Sequence, residues 1–441
     1  MKRKLTFVTL GQSIYLSSKF FVKNNLVTYA GNSSLAFLFS FMPILMMILV
    51  VLVKIFHTSP DLIFSLVDFQ SIFAEPVKVK NLVDNLLNAE NSGLITIITI
   101  LFILWMAQRL FFSIVSGIRN IFHASTIQPI KKQRGKLVER LFIIIGEIIL
   151  VIVVALLLTA TKSLKSLIEN EELLTKILVP YFPQVIKVFL SKLFSILVTL
   201  IPFIFMFLLE SFLFRFASGT KPKWKYCFLS SLNCTVLFWI VTVFFKLFLN
   251  ITRYNLVYGV LSNLVITLLE IYIFFILFFL SAQFIFVKQF FKELLLSELY
   301  LLPSDDVNDI KSKIKRKLFI RPDKLISNEN MHISLSAGEK IYSENDISDG
   351  LYYVAKGEIH LSKENYEQTI LRGNFFGDYD CILEQNRVMS ATATTDSMII
   401  FISKEEFYRL LESNPEVSQK MLESLPAYIL KIYGRKQFPM L

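Results

Sequence analysis

The chain has 441 residues, 54% of them hydrophobic, with 43 phenylalanines and a formal net charge of +11; its mean hydropathy is +0.56. So much apolar surface exceeds what one or two aqueous cores bury, which excludes a wholly soluble protein and makes the bilayer the solvent for much of the chain. The positive charge gathers in short segments between apolar runs, which points to membrane orientation and away from nucleic acid. Cys227, Cys234 and Cys381 are scattered, so neither a disulfide framework nor a zinc knuckle is expected.

In chain order, the basic start MKRKLTF is followed by a segment interrupted by Gln12, Ser13, Ser17, Ser18 and Lys19. No cleavable signal with a clean apolar core is visible, and the N-terminus is expected to be retained. Over 7–22 the apolar residues Phe7, Leu10, Ile14, Phe20 and Phe21 recur at roughly helical spacing among Ser and Lys, which suits an amphipathic helix in the membrane interface (1–25); an ordinary packed helix is the alternative. Six apolar runs of spanning length follow, at 34–55, 93–118, 141–161, 193–209, 227–249 and 257–287. Basic loops containing Lys131, Lys132, Arg134, Lys136 and Arg140, or Arg215, Lys221, Lys223 and Lys225, alternate with loops containing Asp61, Asp68, Glu75 and Asp84, or Glu169, Glu171 and Glu172. The positive-inside rule then places both ends in the cytoplasm of a multi-pass inner-membrane protein.

Beyond Lys288, residues 290–330 read as a charged helical connector, with Lys311, Lys313, Lys315, Arg316 and Lys317 suited to anionic lipid or simply to a solvated face. From Met331 to Leu441 short strands broken by glycine turns (HISLSAGEKIY, GLYYVAKGEIHLS, QTILRG, ATATTDSMIIFIS) predict an antiparallel β module closed by C-terminal helices. Within it, LRGNFFGDYDCILEQNRVMSAT brings a glycine turn, an acid and a lone arginine into close order, a pattern fit to hold a small phosphate.

The run Leu335, Gly338, Glu339, Ile341, Asp346, Asp349, Gly350, Leu351, Tyr352, Val354, Gly357, Ile359 and Leu361, then Leu371, Gly373, Phe375, Phe376 and Gly377, resembles the cyclic nucleotide-binding domain over 331–424. The resemblance implies a jelly-roll β-roll and a phosphate cassette: Gly377 at its turn, Asp378 where the family's Glu meets the ribose hydroxyl, Arg387 where its Arg pairs with the cyclic phosphate, and Ser390 at its Ser/Thr position. The implied ligand is cyclic AMP or cyclic GMP. This cassette departs from the family at three places: Asp378 is one methylene shorter than Glu, and Asp380 and Met389 replace small residues, Asp380 adding negative charge where an anion would sit.

TYAGNSSLAFLFSFMPILMMILV, AQRLFFSIVSGIRNIFH, KPKWKYCFLSSLNCTVLFWIV and YNLVYGVLSNLVITLLEIYIFFILFFLSAQFIF resemble the YihY/BrkB family of bacterial inner-membrane proteins, older members of which carried the label ribonuclease BN. That likeness covers 26–289 and implies a six-helix transmembrane domain.

Polar residues inside apolar spans are candidate functional groups, because they are costly there. Gln108, Arg109, Ser113 and Ser116 share one helical stripe, Asn263, Thr267 and Glu270 another, and Glu147 lies in the third span. Arg109 is expected to pair with Glu147 or Glu270, the stripes either lining a path for a small solute or forming a structural ion pair. The four histidines are dispersed and no GxxxxGK loop is present, so no catalytic residues or metal ligands are assigned and an enzyme is not expected. The expected protein is transporter- or permease-like and regulated by its cytoplasmic module. The alternatives are a non-transporting membrane scaffold or sensor with a degenerate module, or a membrane-bound ribonuclease. Partners are the lipid bilayer, a cyclic nucleotide, a small solute and further copies of the chain, with nucleic acid not expected.

Overall fold

Long apolar helices with polar inner faces make up one part of the computed structural model, and a two-sheet β-roll dominates the other. The structure describes residues 7–54, 93–123, 146, 184–248, 260–303, 309–322, 325, 331–363 and 366–433. Helix α1 (Phe7–Lys23) precedes the long helices α2 (Leu26–Lys54), α3 (Gly93–His123), α4 (Gln184–Ala217), α5 (Trp224–Phe248) and α6 (Val260–Gln289). The shortest of these five, α5, has 25 residues; at about 1.5 Å per residue it exceeds a hydrocarbon core of about 30 Å. Five of the predicted runs fall on these helices; the run at 141–161, the acidic loops at 61–84 and 169–172 and the basic loop at 131–140 lie outside the described residues, Gly146 excepted. Among the described residues, Trp224–Phe245 and Val265–Gln289, with mean hydropathies of 1.9 and 2.5, are long and apolar enough to cross a membrane.

These helices bury polar side chains and expose large apolar ones, which a water-soluble bundle would not do. On α4 and α5 the buried side chains include Glu210, Ser211, Ser230, Ser231 and Cys234, while Leu208, Phe212, Leu232, Trp239 and Phe244 face outward. Lipid is as apolar as leucine, so burying leucine gains little, and small or polar residues share the helix contacts with buried Leu, Ile and Phe. Ser33 and Ser113 hydroxyls meet at 2.9 Å between α2 and α3. Gly117 lets α3 approach α6 so closely that a Cβ there would lie 2.4 Å from the Phe279 ring.

The chain divides into two units, one of 21–122 and 130–285 and the other of 1–20, 123–129 and 286–441. In the second unit a connector of α7 (Phe291–Tyr300) and α8 (Ile310–Phe319) runs from the end of α6 to the roll. Gln12 of α1 donates to the Leu318 carbonyl (3.0 Å) and Tyr15 meets Phe319 edge to face. The buried carboxylate of Glu298 on α7 is paired by Lys19 and, at 2.9 Å, by Lys315. Helix α1 turns Gln12, Ser13 and Ser17 inward and leaves Phe7, Leu10 and Ile14 exposed.

The roll contains β1 (His332–Leu335), β2 (Lys340–Tyr342), β3 (Gly350–Lys356), β4 (Glu358–Lys363), β5 (Tyr366–Leu371), β6 (Phe375–Phe376), the single-turn helix α9 (Asp378–Ile382), β7 (Ser390–Ala393) and β8 (Ser397–Ser403). Its antiparallel sheets run β1-β8-β3-β6 and β2-β7-β4-β5. Alternation in β4 sends Ile359 and Leu361 inward, where they join Val354, Ile370, Phe376 and Ile399 in the core. Strand β3 is buried along nearly its whole length; Tyr353 donates to the Ile320 carbonyl just after α8 (3.0 Å), tying the connector to the sheet. Two helices close the roll, α10 (Lys404–Ser413) and α11 (Pro415–Tyr433). The Ser403 hydroxyl caps α10 by accepting from Glu406 N–H.

Candidate functional site

The cassette is built on a reversal of the chain after β6. Gly377 takes φ +77°, a left-handed conformation that disfavours a side chain, and a Cβ there would lie 2.5 Å from Arg387 Nη1. Glycine is therefore required twice over, by the turn and by the approach of the arginine.

Arg387 is 1% exposed. Its Nη1 donates to the Gly377 carbonyl (2.9 Å) and its Nη2 to the Gly350 carbonyl (2.5 Å). The guanidinium lies 4.5 Å from the Tyr342 ring centroid and 5.6 Å from that of Tyr352. Its carboxylate neighbours are Asp349 at 3.5 Å and Asp380 at 3.9 Å. Nε is buried without a hydrogen-bond partner. The backbone is fixed too: Arg387 N–H donates to Asp346 O and Arg387 O accepts from Asn345 N–H, both at 2.8 Å.

Two buried acids stand on α9, just after Gly377. Asp378 accepts a 2.8 Å hydrogen bond from the Tyr300 hydroxyl at the end of α7. Burial lifts its carboxyl above the usual carboxylate range, against the Tyr300 and backbone hydrogen bonds that favour the ionised form. Asp380 accepts from the Tyr428 hydroxyl of α11 (3.0 Å) and from Gln385 (3.4 Å). Burial raises it as well, opposed by Tyr428 and then by Arg387. The Tyr379 and Tyr428 rings stack at 4.1 Å.

The structure thus brings Gly377, Asp378, Asp380 and Arg387 together. Ser390 sits on β7 and its hydroxyl accepts from Glu344 N–H (3.0 Å). Met389 belongs to the apolar cluster of the roll with Tyr342, Tyr352 and Phe376. As a receptor for a cyclic phosphate the pocket has the left-handed turn and the arginine, but the arginine's two Nη groups already hold carbonyls. A carboxylate also lies near each Nη group, Asp380 near Nη1 and Asp349 near Nη2. A ligand would have to exchange with these groups rather than add to them.

In the helical unit, Gln108 and Arg109 lie on α3, and the Arg109 guanidinium is exposed, 4.4 Å from the Trp105 ring. Asn263 and Glu270 lie on α6, Glu270 partly buried, and Glu147 lies outside the described residues. No group of three or more metal-ligating side chains occurs among the described residues.

Three groups escaped the sequence reading. Tyr300 and Tyr428 gave no local signal, because each meets its acid across 78 and 48 residues of chain. Glu210 did leave one. It stands one residue beyond the run assigned to the fourth span, amid FMFLLESFLFRF, and the helix continues to Ala217.

Residues 332–414 match the cyclic nucleotide-binding domain. Among curated proteins the chain is similar to the cAMP-dependent protein kinase type II regulatory subunit of Drosophila melanogaster, 25% identical over 109 residues, covering 23% of this chain and 29% of the relative. It is also similar to the cAMP-dependent protein kinase regulatory subunit of Eremothecium gossypii, 31% identical over 83 residues, with 18% of each covered. The chain therefore spans under a third of the length of these relatives. Among solved structures it is similar to the Thermus thermophilus catabolite activator protein, at 24% identity and a TM-score of 0.20, over 22% of this chain and 49% of that one. Residues 18–293, more than half of the chain, match the virulence factor BrkB model. The chain belongs to the BrkB (YihY) family, an inner-membrane family, and carries a cyclic nucleotide-binding domain fused at its C-terminal side.

Proposed function

We propose that the protein is a six-span, permease-like inner-membrane protein with both termini cytoplasmic, whose β-roll regulates the membrane part in response to a cyclic nucleotide. The observation that carries this reading is the buried hydrogen bond from Tyr300 to Asp378. Tyr300 ends α7, which follows α6 almost without a break, Phe290 N–H donating to Phe286 O at 3.0 Å. A ribose hydroxyl that donates to Asp378 competes with Tyr300 and so acts on the connector. A cyclic phosphate drawn to Arg387 competes with Asp380 and so acts on Tyr428 and α11. Nucleotide regulates the membrane part only to the extent that it binds these two arrangements with different affinity.

The proposed layout is an interfacial helix at 1–25, a membrane domain at 26–289, a connector at 290–330 and the nucleotide module at 331–441. The outward Phe7, Leu10 and Ile14 of α1 support the interfacial helix. Gln108, Arg109, Glu147, Asn263 and Glu270 are the proposed polar path, for a small solute.

The test is calorimetry of the full-length protein in nanodiscs with cyclic AMP and cyclic GMP, followed by solute flux into proteoliposomes with and without the nucleotide that binds. Saturable heat together with nucleotide-dependent flux supports the reading. The contact between Asp380 and Arg387 favours a second one, a module closed by its own carboxylate that serves a membrane scaffold or sensor. No heat at millimolar nucleotide supports that second reading.

A further inference from the structure

A carboxylate stands inside the helical unit and, among the described residues, no ion pair balances it. Glu210 lies seven residues before the end of α4 at Ala217 and is 2% exposed. Both of its oxygens lack a hydrogen-bond partner. Among the described residues it forms no ion pair, and the nearest cation on its own helix, Arg215, is engaged with the Pro222 carbonyl and lies over the Trp224 ring at 4.7 Å. The groups that face it are Cys234 and Thr235 of α5, and Cys234 in turn faces Ser281 of α6. None of them carries a charge at neutral pH. Thr235 Oγ1 and, one turn earlier on α5, Ser231 Oγ are also buried without partners.

An ionised carboxylate in hydrocarbon surroundings is too costly to stand alone, and acidic groups within spans therefore pair with a cation or carry one. The described residues around it pair no cation with it, but they supply hydroxyl oxygens beside the carboxylate, on helices packed closely enough for Phe214 of α4 and Phe278 of α6 to meet at 4.7 Å. We propose that Glu210, with Thr235 and the adjoining hydroxyls of α5 and α6, forms an intramembrane site for a monovalent cation, either a proton or an alkali ion. The site contains neither Arg109 nor Glu270 and does not depend on the solute path proposed above. Its test reads cation occupancy, whereas flux reads transport, so the two readings fail separately.

The experiment is carbodiimide modification of the full-length wild-type protein in nanodiscs, with the adduct at Glu210 quantified by peptide mass spectrometry. Carbodiimides react with protonated carboxyls in apolar surroundings. The rate is measured across a pH series in choline, then at fixed pH with sodium or potassium replacing choline at constant ionic strength. Slowing by an alkali ion identifies a metal-ion site, and slowing by raised pH alone identifies a proton site; a change of at least tenfold is expected in one arm. An adduct whose rate neither arm moves, or no adduct at Glu210 at any pH, overturns the proposal. Thr235→Val provides a second measure, because it keeps the carboxyl and removes an oxygen donor. For an alkali-ion site the protecting concentration rises several-fold in this variant, and an unchanged one removes Thr235 from the site.

Discussion

Tyr300→Phe probes the link between connector and cassette, because it keeps the ring and deletes one oxygen, which meets Asp378 and also Met421 Sδ at 2.9 Å. The Tyr300 ring packs 5.2 Å from Phe375 and 6.0 Å from Phe407, contacts that phenylalanine preserves. The hydrogen bond to Asp378 is lost, and with it a neutral donor to a buried acid; such bonds contribute about 1.5–3 kcal/mol when the acceptor is ionised. The sign of the pH dependence follows from the direction of the shift. Burial raises the Asp378 carboxyl, so its contribution to stability is complete below the ordinary carboxylate range and is lost as pH rises through the folded value. Tyr300 favours the ionised form, so its removal raises that value further, and the added loss falls on the alkaline side. On the alkaline side of the Asp378 titration, the unit that holds the roll should melt roughly 4–8 °C lower in Tyr300→Phe than in wild type, taking about 2 kcal/mol and the usual scaling for a unit of this size. In acid, where Asp378 is protonated in both proteins, the gap should narrow to about half or less. Scanning calorimetry of the nanodisc protein at the two pH values provides the comparison. Equal melting across the pH range, or a gap that widens in acid, refutes the claim that Tyr300 stabilises the Asp378 carboxylate.

Asp380→Ala removes the internal anion beside Arg387 and should tighten cyclic nucleotide binding at least tenfold, about 1.4 kcal/mol; an unchanged calorimetric affinity would show that this carboxylate does not compete with the ligand. Because burial raises Asp380, wild-type affinity should also increase as pH falls into its titration range and the competing charge is lost, a trend absent from Asp380→Ala. Gly377→Ala places a Cβ at 2.5 Å from Arg387 Nη1 in a left-handed backbone and should cost about 2–3 kcal/mol, read as a lower melting temperature of the roll. Glu298→Gln removes the charge shared by Lys19 and Lys315 and should speed amide exchange in α7 at least tenfold, whereas Glu405→Gln, on α10, should leave it unchanged.

The membrane helices were legible because the bilayer imposes one long period of apolarity, and the helices α2 to α6 cover five of the runs read from hydropathy. The roll was legible because its glycines mark turns at fixed spacing. The spacing of Gly377, Asp378 and Arg387 likewise announced a cassette, since one loop carries all three. What hydropathy hid was Glu210, which a window drawn to the last leucine leaves at its edge although the helix runs on past it.

Composition and local spacing by themselves determined that this chain is a membrane protein with a β-roll and an arginine cassette, because period, glycine position and charge distribution are properties of short stretches. Only the tertiary structure decided how that cassette is filled. Arg387 is held by carbonyls 10 and 37 residues away, and the two acids of α9 are held by Tyr300, which precedes the roll, and Tyr428, which follows it. Partners so far apart in the chain meet only when the connector, the roll and the last helix have packed together.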